Sequence, residues 1–181
     1  KNIIHRDLKC DNILLDENFY PKICDFGLSY SLEIPVEKIK MDEFVGSIAY
    51  MAPEILRKNK YTSKIDVYSF AIVAYEIIVG KFPYKTNMTK YKFKNEILNG
   101  MRPDLSVIKD PFIQDFLKRC WSNIPQNRPS FDEIVDIIQK DEFKKYFQPN
   151  ENDVSNYYFY LKKEKKDVNF ICYDKNLVNN A

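Results

Sequence analysis

The sequence is poor in the residues that build several common kinds of site. Its 181 residues include one histidine and four cysteines, and no two cysteines form a Cys-x-x-Cys pair. This scarcity argues against a Cys/His metal site. Only four glycines occur, at positions 27, 46, 80 and 100, which is too few and too scattered for a glycine-rich phosphate-binding loop. No segment resembles a targeting peptide, and the unpaired cysteines favour a reducing, cytoplasmic location.

The sequence also lacks a strong charge of either sign and a long apolar run. Lys and Arg number 28 and Asp and Glu number 26, for a net charge of +2, which argues against a nucleic-acid surface. The main apolar run, Ile65–Val79, is shorter than the roughly 20 residues of a membrane span and contains Asp66 and Glu76. We therefore expect no membrane span, and we predict a buried central helix. Ser63-x-x-Asp66 predicts a capping box at its start, and Gly80 predicts its end.

Shorter elements are predicted on both sides of this helix. Two brief apolar runs, Ile13–Leu15 and Lys22–Cys24, flank a polar turn cluster and predict short strands. Three amphipathic helices are predicted: one over Lys90–Leu98, one that follows the N-cap Asp110, and one opened by a Ser130-x-x-Glu133 capping box. After residue 147 the sequence becomes rich in Asn and Lys. We therefore expect a domain over residues 1–147 and an extension over residues 148–181.

One short segment near the start crowds polar side chains between apolar runs. It reads His5-Arg6-Asp7-Leu8-Lys9-Cys10-Asp11-Asn12, and it is followed by Asp25-Phe26-Gly27 and by Gly46-Ser47-Ile48-Ala49-Tyr50-Met51-Ala52-Pro53-Glu54. Any one of these motifs could arise by chance. In this order, and followed by a buried helix and Asn127-Arg128-Pro129-Ser130, they resemble the catalytic region of eukaryotic protein kinases. The resemblance covers residues 1–140.

The residues of these motifs also suit the chemistry of phosphoryl transfer. That reaction asks a protein mainly for positioning and for charge neutralisation. Asp7 is suited to orient a hydroxyl nucleophile and to take its proton, and Lys9 to neutralise the γ-phosphate. Asn12 and Asp25 supply the oxygen ligands that Mg²⁺ prefers. The resemblance therefore implies ATP and Mg²⁺ as cofactors.

The resemblance also implies structural roles for several neighbouring residues. The single histidine, His5, is expected to be packed against Phe26 and not to be catalytic. Asp66 is expected to anchor the backbone of the segment around Asp7, as an alternative or addition to its capping role. Glu54 and Arg128 are expected to form a buried ion pair.

Regulation gives a further hypothesis. In such kinases the arginine at the position of Arg6 pairs with a phosphate on the activation loop, but residues 32–45 contain no Ser, Thr or Tyr. Three residues before Gly46 the chain has Glu43, which we hypothesise stands in for the phosphate. The alternative is that Glu43 is a solvated loop charge, since exposed pairs often contribute nothing. Ser47 is expected to be a structural partner of the catalytic residues and not a switch.

These observations predict an α+β fold that is mainly α, resembling the C-terminal lobe of a protein kinase, with short β-hairpins at the catalytic loop. The glycine-rich loop, the strand lysine and the helix glutamate of the N-terminal lobe do not occur in this sequence. We therefore expect a partial domain that catalyses poorly by itself.

The predicted function is ATP-dependent phosphorylation of Ser/Thr hydroxyls of protein substrates in signal transduction. Asp25-Phe26-Gly27-Leu28-Ser29 and Asp66-Val67-Tyr68-Ser69-Phe70 resemble the tyrosine-kinase-like group of serine/threonine kinases, although Ala71 stands where that group commonly has glycine. Three alternatives remain open: a pseudokinase or scaffold that uses the same fold, a tyrosine or dual-specificity kinase, and a small-molecule kinase.

Overall fold

A computed structural model of the chain describes residues 3–31, 48–84 and 87–147. The strands in these ranges are β1 (Ile3–Ile4), β2 (Ile13–Leu15), β3 (Pro21–Ile23) and β4 (Tyr30–Ser31). The α-helices are α1 (Pro53–Leu56), α2 (Lys64–Val79), α3 (Lys90–Leu98), α4 (Pro111–Cys120), α5 (Phe131–Ile138) and α6 (Asp141–Phe147). The fold is mostly helical with small antiparallel sheets, as the sequence predicts. The proposed extension over 148–181 lies outside the described residues.

The hairpin of β2 and β3 places two predicted site residues at one end. The strands are antiparallel, with Ile13 opposite Ile23. Asp16 closes the turn, because its Oδ1 accepts hydrogen bonds from the backbone N–H groups of Asn18 and Tyr20. Since Asn12 immediately precedes β2 and Asp25 follows β3, the two lie at the open end of the hairpin.

A second antiparallel pair joins the chain on either side of that hairpin. Ile3 of β1 is opposite Ser31 of β4, and Ile4 is opposite Tyr30. This pairing ties the residues before His5 to the residues that follow Gly27. The sequence did not predict it, because two-residue strands carry too little pattern to identify a distant partner.

The central helix α2 is the core of the molecule. Ile65, Tyr68, Ala71, Ile72 and Tyr75 are buried along it, on several faces, so the prediction of a buried central helix is confirmed for residues 65–75; in the last turn it is wrong, because Ile77 is 67% exposed. It ends at Gly80, whose φ of 72° is the left-handed conformation expected of a C-cap.

The predicted capping box at the start of α2 is wrong. Ser63 has helical angles (φ −54°, ψ −14°) and makes no side-chain capping hydrogen bond. The physical reason is that the Asp66 side chain is engaged by backbone groups of the segment around His5.

The other predicted caps are confirmed. Asp110 Oδ1 accepts from the N–H groups of Phe112 and Ile113 at the start of α4. Ser130 and Glu133 form a reciprocal capping box at the start of α5. The α3 helix has the predicted bounds, and its N-cap is Thr89.

Candidate functional site

The segment His5–Asn12, called the polar loop below, is fixed at its start to α2 by the carboxylate of Asp66. Asp66 accepts a hydrogen bond from the backbone N–H of His5 at 2.7 Å and another from that of Arg6 at 2.9 Å. Arg6 has a φ of 69°, an uncommon conformation for a residue with a side chain. The two bonds therefore hold the loop in a strained conformation next to Asp7.

Two opposing influences act on the pKa of the Asp66 carboxyl. Burial raises its pKa above the ordinary 3.8, while the hydrogen bonds from the His5 and Arg6 backbone act to lower it. Burial is the larger influence, because a charged carboxylate loses its hydration in the core. Charged or neutral, Asp66 has its acceptor oxygens committed to the polar loop.

His5 is a packed residue that supports the loop from beneath. Its ring lies 4.9 Å from the Phe26 ring, centroid to centroid. Its Nε2 is 2.9 Å from the Cys24 carbonyl, and its Nδ1 is 3.3 Å from the backbone N of Asp7. The tautomer protonated on Nε2 satisfies both hydrogen bonds, since it donates to the carbonyl and accepts from the amide.

Asp7, Lys9 and Asn12 form one contiguous polar cluster. Lys9 Nζ lies 2.9 Å from Asp7 Oδ2. Asn12 Nδ2 donates to the Asp7 carbonyl at 2.8 Å and lies 3.2 Å from Asp7 Oδ2. Asn12 is buried, and the side chains of Asp7 and Lys9 are only 12% and 19% exposed. The cluster is therefore largely buried but can be reached from outside.

Asp25 adopts the left-handed conformation, with φ 59° and ψ 65°. The left-handed residue of this motif is Asp25 itself and not Gly27. Glycine has a different use at position 27. A Cβ there would lie 3.3 Å from Asp25 Oδ1, tighter than most real contacts. Gly27 thus leaves room for the Asp25 carboxylate.

The hairpin brings Asp25 to the polar loop. The backbone N of Cys24 donates to the Asn12 carbonyl at 2.9 Å, one residue before Asp25. This bond and the hairpin thus join the two segments that contain four of the predicted site residues: Asp7, Lys9 and Asn12 in the polar loop, and Asp25 after β3.

The Arg6 side chain has two neutral acceptors among its partners in the described residues. Its Nε donates to the Leu28 carbonyl, and its Nη1 donates to the Tyr61 hydroxyl at 3.2 Å. Glu43, the hypothesised partner of Arg6, lies outside the described residues, and so does Ser47. The hypothesis that Glu43 replaces a phosphate therefore stays a prediction.

Glu54 and Arg128 form a buried bidentate ion pair. Arg128 Nη1 lies 2.6 Å from Glu54 Oε1, and Nη2 lies 2.8 Å from Oε2. The Arg128 side chain is fully buried and also donates to the carbonyls of Ser122 and Lys64. Arg128 thus ties α1 to the start of α2.

One group near the site was not singled out from the sequence. Glu76 Oε2 accepts hydrogen bonds from the Tyr50 hydroxyl at 2.6 Å and from the Cys10 thiol at 3.2 Å. Glu76 entered the sequence argument only as a charge that argues against a membrane span. The signal in the sequence that could have identified Glu76 was its charge within the mainly apolar run Ile65–Val79.

The described residues contain no group of three or more His, Cys, Asp or Glu side chains that could hold a metal. None of their helices combines the length and the apolar character needed to cross a membrane.

The chain was compared with known proteins. The family model described as "Protein kinase domain" matches residues 1–138. RGS domain-containing serine/threonine-protein kinase A of Dictyostelium discoideum is 42% identical over 138 residues, which are 76% of this chain and 12% of that protein. Serine/threonine-protein kinase STY17 of Arabidopsis thaliana is 34% identical over 139 residues, 77% of this chain and 24% of that protein.

A rice relative (Oryza sativa subsp. japonica), described as a protein kinase and PP2C-like domain-containing protein, is 36% identical over 172 residues. The match covers 76% of this chain and 26% of that protein. The chain therefore spans between 12% and 26% of the lengths of these three relatives.

Proposed function

Because the chain belongs to the protein kinase domain family, we propose that it carries the catalytic loop of an ATP-dependent serine/threonine protein kinase. The observation that carries the proposal is the cluster in which one oxygen of Asp7 contacts Lys9 and Asn12. We further propose that residues 1–147 correspond to the C-terminal lobe of the kinase domain and 148–181 to an extension.

Asp7 is proposed to orient the substrate hydroxyl and to accept its proton. Among the described residues, Lys9 and Asn12 both contact Oδ2 of Asp7, which leaves Oδ1 for the substrate. A carboxylate held in this way is pre-oriented and loses little freedom when the hydroxyl arrives. Lys9 places a positive charge beside the reacting group, where negative charge on the transferred phosphoryl oxygens is neutralised.

Asn12 and Asp25 are proposed to hold the cation of Mg²⁺-ATP, which supplies the phosphoryl group when bound. The donor set fits, because Asn12 directs its amide nitrogen to Asp7 and has its oxygen left for a ligand. Asp25 supplies a carboxylate at the same end of the hairpin. Mg²⁺ commonly takes one or two protein ligands and completes its shell with water and phosphate oxygens, so this pair suffices.

Specificity for Ser/Thr is proposed from two observations. Lys9 two residues after Asp7 is typical of serine/threonine kinases, and two of the relatives described above are named as such. The motifs around Asp25 and Asp66 favour the tyrosine-kinase-like group. By the same resemblance, residues 25–54 are the activation segment, and the substrates are proteins in signal transduction.

The test is Asp7→Asn in the full-length protein, with ATP, Mg²⁺ and a generic serine peptide. Asparagine cannot take the hydroxyl proton, so we expect phosphotransfer to fall by about 10²–10⁴-fold with an unchanged melting temperature. Asp115→Asn is the matched control, since Asp115 is 68% exposed on α4, and it should keep full activity.

Wild-type rates in the Asp7→Asn variant would contradict the proposal. A wild-type protein that binds ATP without transferring phosphate would favour the scaffold alternative. Phosphoamino-acid analysis of the product distinguishes Ser/Thr from Tyr specificity.

A further inference from the structure

Glu76 brings together two segments that are far apart in sequence. Its Oε2 lies 2.6 Å from the Tyr50 hydroxyl and 3.2 Å from Cys10 Sγ. Cys10 follows Lys9 in the polar loop and begins the short 3-10 turn that ends at Asn12. One carboxylate oxygen of α2 therefore contacts two segments. The first is the turn that carries the proposed catalytic groups, through Cys10, and the second is Tyr50, which lies 40 residues later in the chain.

Tyr50 is itself held on α2 at two points. Its carbonyl accepts a hydrogen bond from Ser69 Oγ at 2.8 Å, and its hydroxyl donates to Glu76. The Tyr50 side chain is buried. Because both ends of Tyr50 are fixed, its hydroxyl in turn fixes the direction of the Glu76 carboxylate.

The charge of Glu76 makes these two donors important. Glu76 is half-buried, and it forms no ion pair with any described residue. A partly buried carboxylate that loses its donors bears the cost of an unsatisfied charged group. Burial, followed by the hydrogen bond to Glu76, raises the pKa of Tyr50, so its hydroxyl stays protonated and able to donate at neutral pH.

We propose that Glu76 is a positioning residue for the polar loop, which it fixes through Cys10 and couples to Tyr50. The contact acts on Lys9 and Asn12, the two residues on either side of the Cys10–Asp11 pair. This inference rests on the proposed phosphotransfer function, because its kinetic consequence is the placement of Lys9 and Asn12 around Asp7.

The kinetic test is a double-mutant cycle of Cys10→Ala and Tyr50→Phe in the full-length protein. Each change should lower kcat a few-fold with little change in the KM for the peptide. The double variant should lose clearly less than the product of the single effects, because Cys10→Ala already breaks the contact through which Tyr50 and Glu76 act on the loop. Cys10→Ser retains a donor and should restore most of the kcat. Independent effects, or a serine variant no better than alanine, would overturn the inference.

A second test does not depend on activity. The backbone N–H of Asn12 bonds to the Lys9 carbonyl, and that of Ile13 bonds to the Cys10 carbonyl, so their hydrogen exchange reports opening of the turn. Tyr50→Phe should speed exchange at both amides. Tyr75→Phe is the matched control, since Tyr75 is the neighbour of Glu76 on α2 but donates to the Asp104 carbonyl, and it should leave exchange unchanged.

The two tests separate the failure of the inference from the failure of the proposed function. Unchanged exchange at Asn12 and Ile13 in the Tyr50→Phe variant of an active enzyme would refute the coupling alone. An inactive wild-type protein in which Tyr50→Phe still speeds exchange would refute the proposed function and support the coupling.

Discussion

Asp66 shows how much of the site depends on one side chain. Its carboxylate accepts two backbone N–H groups of the polar loop, from His5 and Arg6. It does so while buried, where an unpaired N–H or carboxylate would be costly. The loop conformation beside Asp7, including the left-handed Arg6, therefore depends on a residue of α2 as well as on the hydrogen bonds within the loop.

At this scale we predict that Asp66→Asn destabilises the full-length protein. The amide nitrogen of asparagine cannot accept a hydrogen bond, so one of the two backbone N–H groups loses its partner. The expected loss in the free energy of unfolding is about 1–3 kcal/mol, measured by urea denaturation. Faster hydrogen exchange at His5 or Arg6 should accompany it, and unchanged stability and exchange would contradict the assignment.

The pH dependence of that loss gives a further prediction. Burial raises the pKa of Asp66 above 3.8, so the folded protein holds this proton more tightly than the unfolded chain does. The contribution of the group to stability is then full below pH 3.8 and declines as pH rises through the folded pKa. Asparagine does not titrate. The difference in unfolding free energy between wild type and Asp66→Asn should therefore be larger at about pH 4 than at about pH 7.

Two helices of the molecule begin with the same local pattern and use it differently. Ser130-x-x-Glu133 at the start of α5 forms a reciprocal capping box. Ser63-x-x-Asp66 at the start of α2 does not, because Asp66 is engaged by the polar loop. Sequence pattern alone cannot separate these cases, since the competing partner of Asp66 lies about 60 residues away in the chain.

This pair gives a prediction at the scale of the element. Ser130→Ala removes a cap and should lower the free energy of unfolding by about 1 kcal/mol. Ser63→Ala is the matched control; Ser63 is exposed and makes no capping bond, so its change should be within about 0.5 kcal/mol of zero. Thermal or urea unfolding of both variants tests this, and equal losses would mean that Ser63 acts as a cap after all.

How well a feature could be predicted from the sequence depends on whether neighbouring or distant residues determine it. Features set by neighbouring residues were predicted: the bounds of α3, the caps at Asp110 and Ser130, and the left-handed end of α2 at Gly80. The motifs proposed to be catalytic were identified by their resemblance, in order and spacing, to those of protein kinases. Three contacts between distant residues were predicted from the family resemblance and are confirmed: His5 with Phe26, Asp66 with the polar loop, and Glu54 with Arg128. Two others were missed, namely the pairing of β1 with β4 and the contact of Cys10 with Glu76, because neither a local pattern nor the quoted motifs indicate these partners.

At the scale of the whole molecule, the β2–β3 hairpin and the residues after it expose large apolar side chains. Leu14, Leu15, Phe19, Ile23 and Phe26 have exposed fractions between 50% and 79%. Exposed apolar groups that lie close together favour association with other surfaces. The described part of the chain thus has a well-packed helical core beside a hairpin that is apolar on its outside.

We predict that the isolated 181-residue chain binds hydrophobic dyes and self-associates as its concentration rises. Leu14→Lys with Leu15→Lys should reduce both effects without lowering the free energy of unfolding, since neither side chain is buried. Ile124→Lys, at a residue outside the hairpin that is 55% exposed, is the control and should change little. Dye fluorescence and sedimentation measure the two effects, and a monomeric chain without dye binding would count against the prediction.

The attachment of the polar loop to Asp66 has a consequence for the order of events during synthesis. His5 and Arg6 are made 61 and 60 residues before their acceptor. At about 5–20 residues per second, a ribosome needs about 3–12 s to reach Asp66 after Arg6. Throughout that interval the nascent chain already contains Asp7, Lys9, Asn12 and, soon afterwards, Asp25, yet the carboxylate that shapes their loop does not exist. A chain interrupted before residue 66 would therefore contain the proposed catalytic side chains without the means to arrange them.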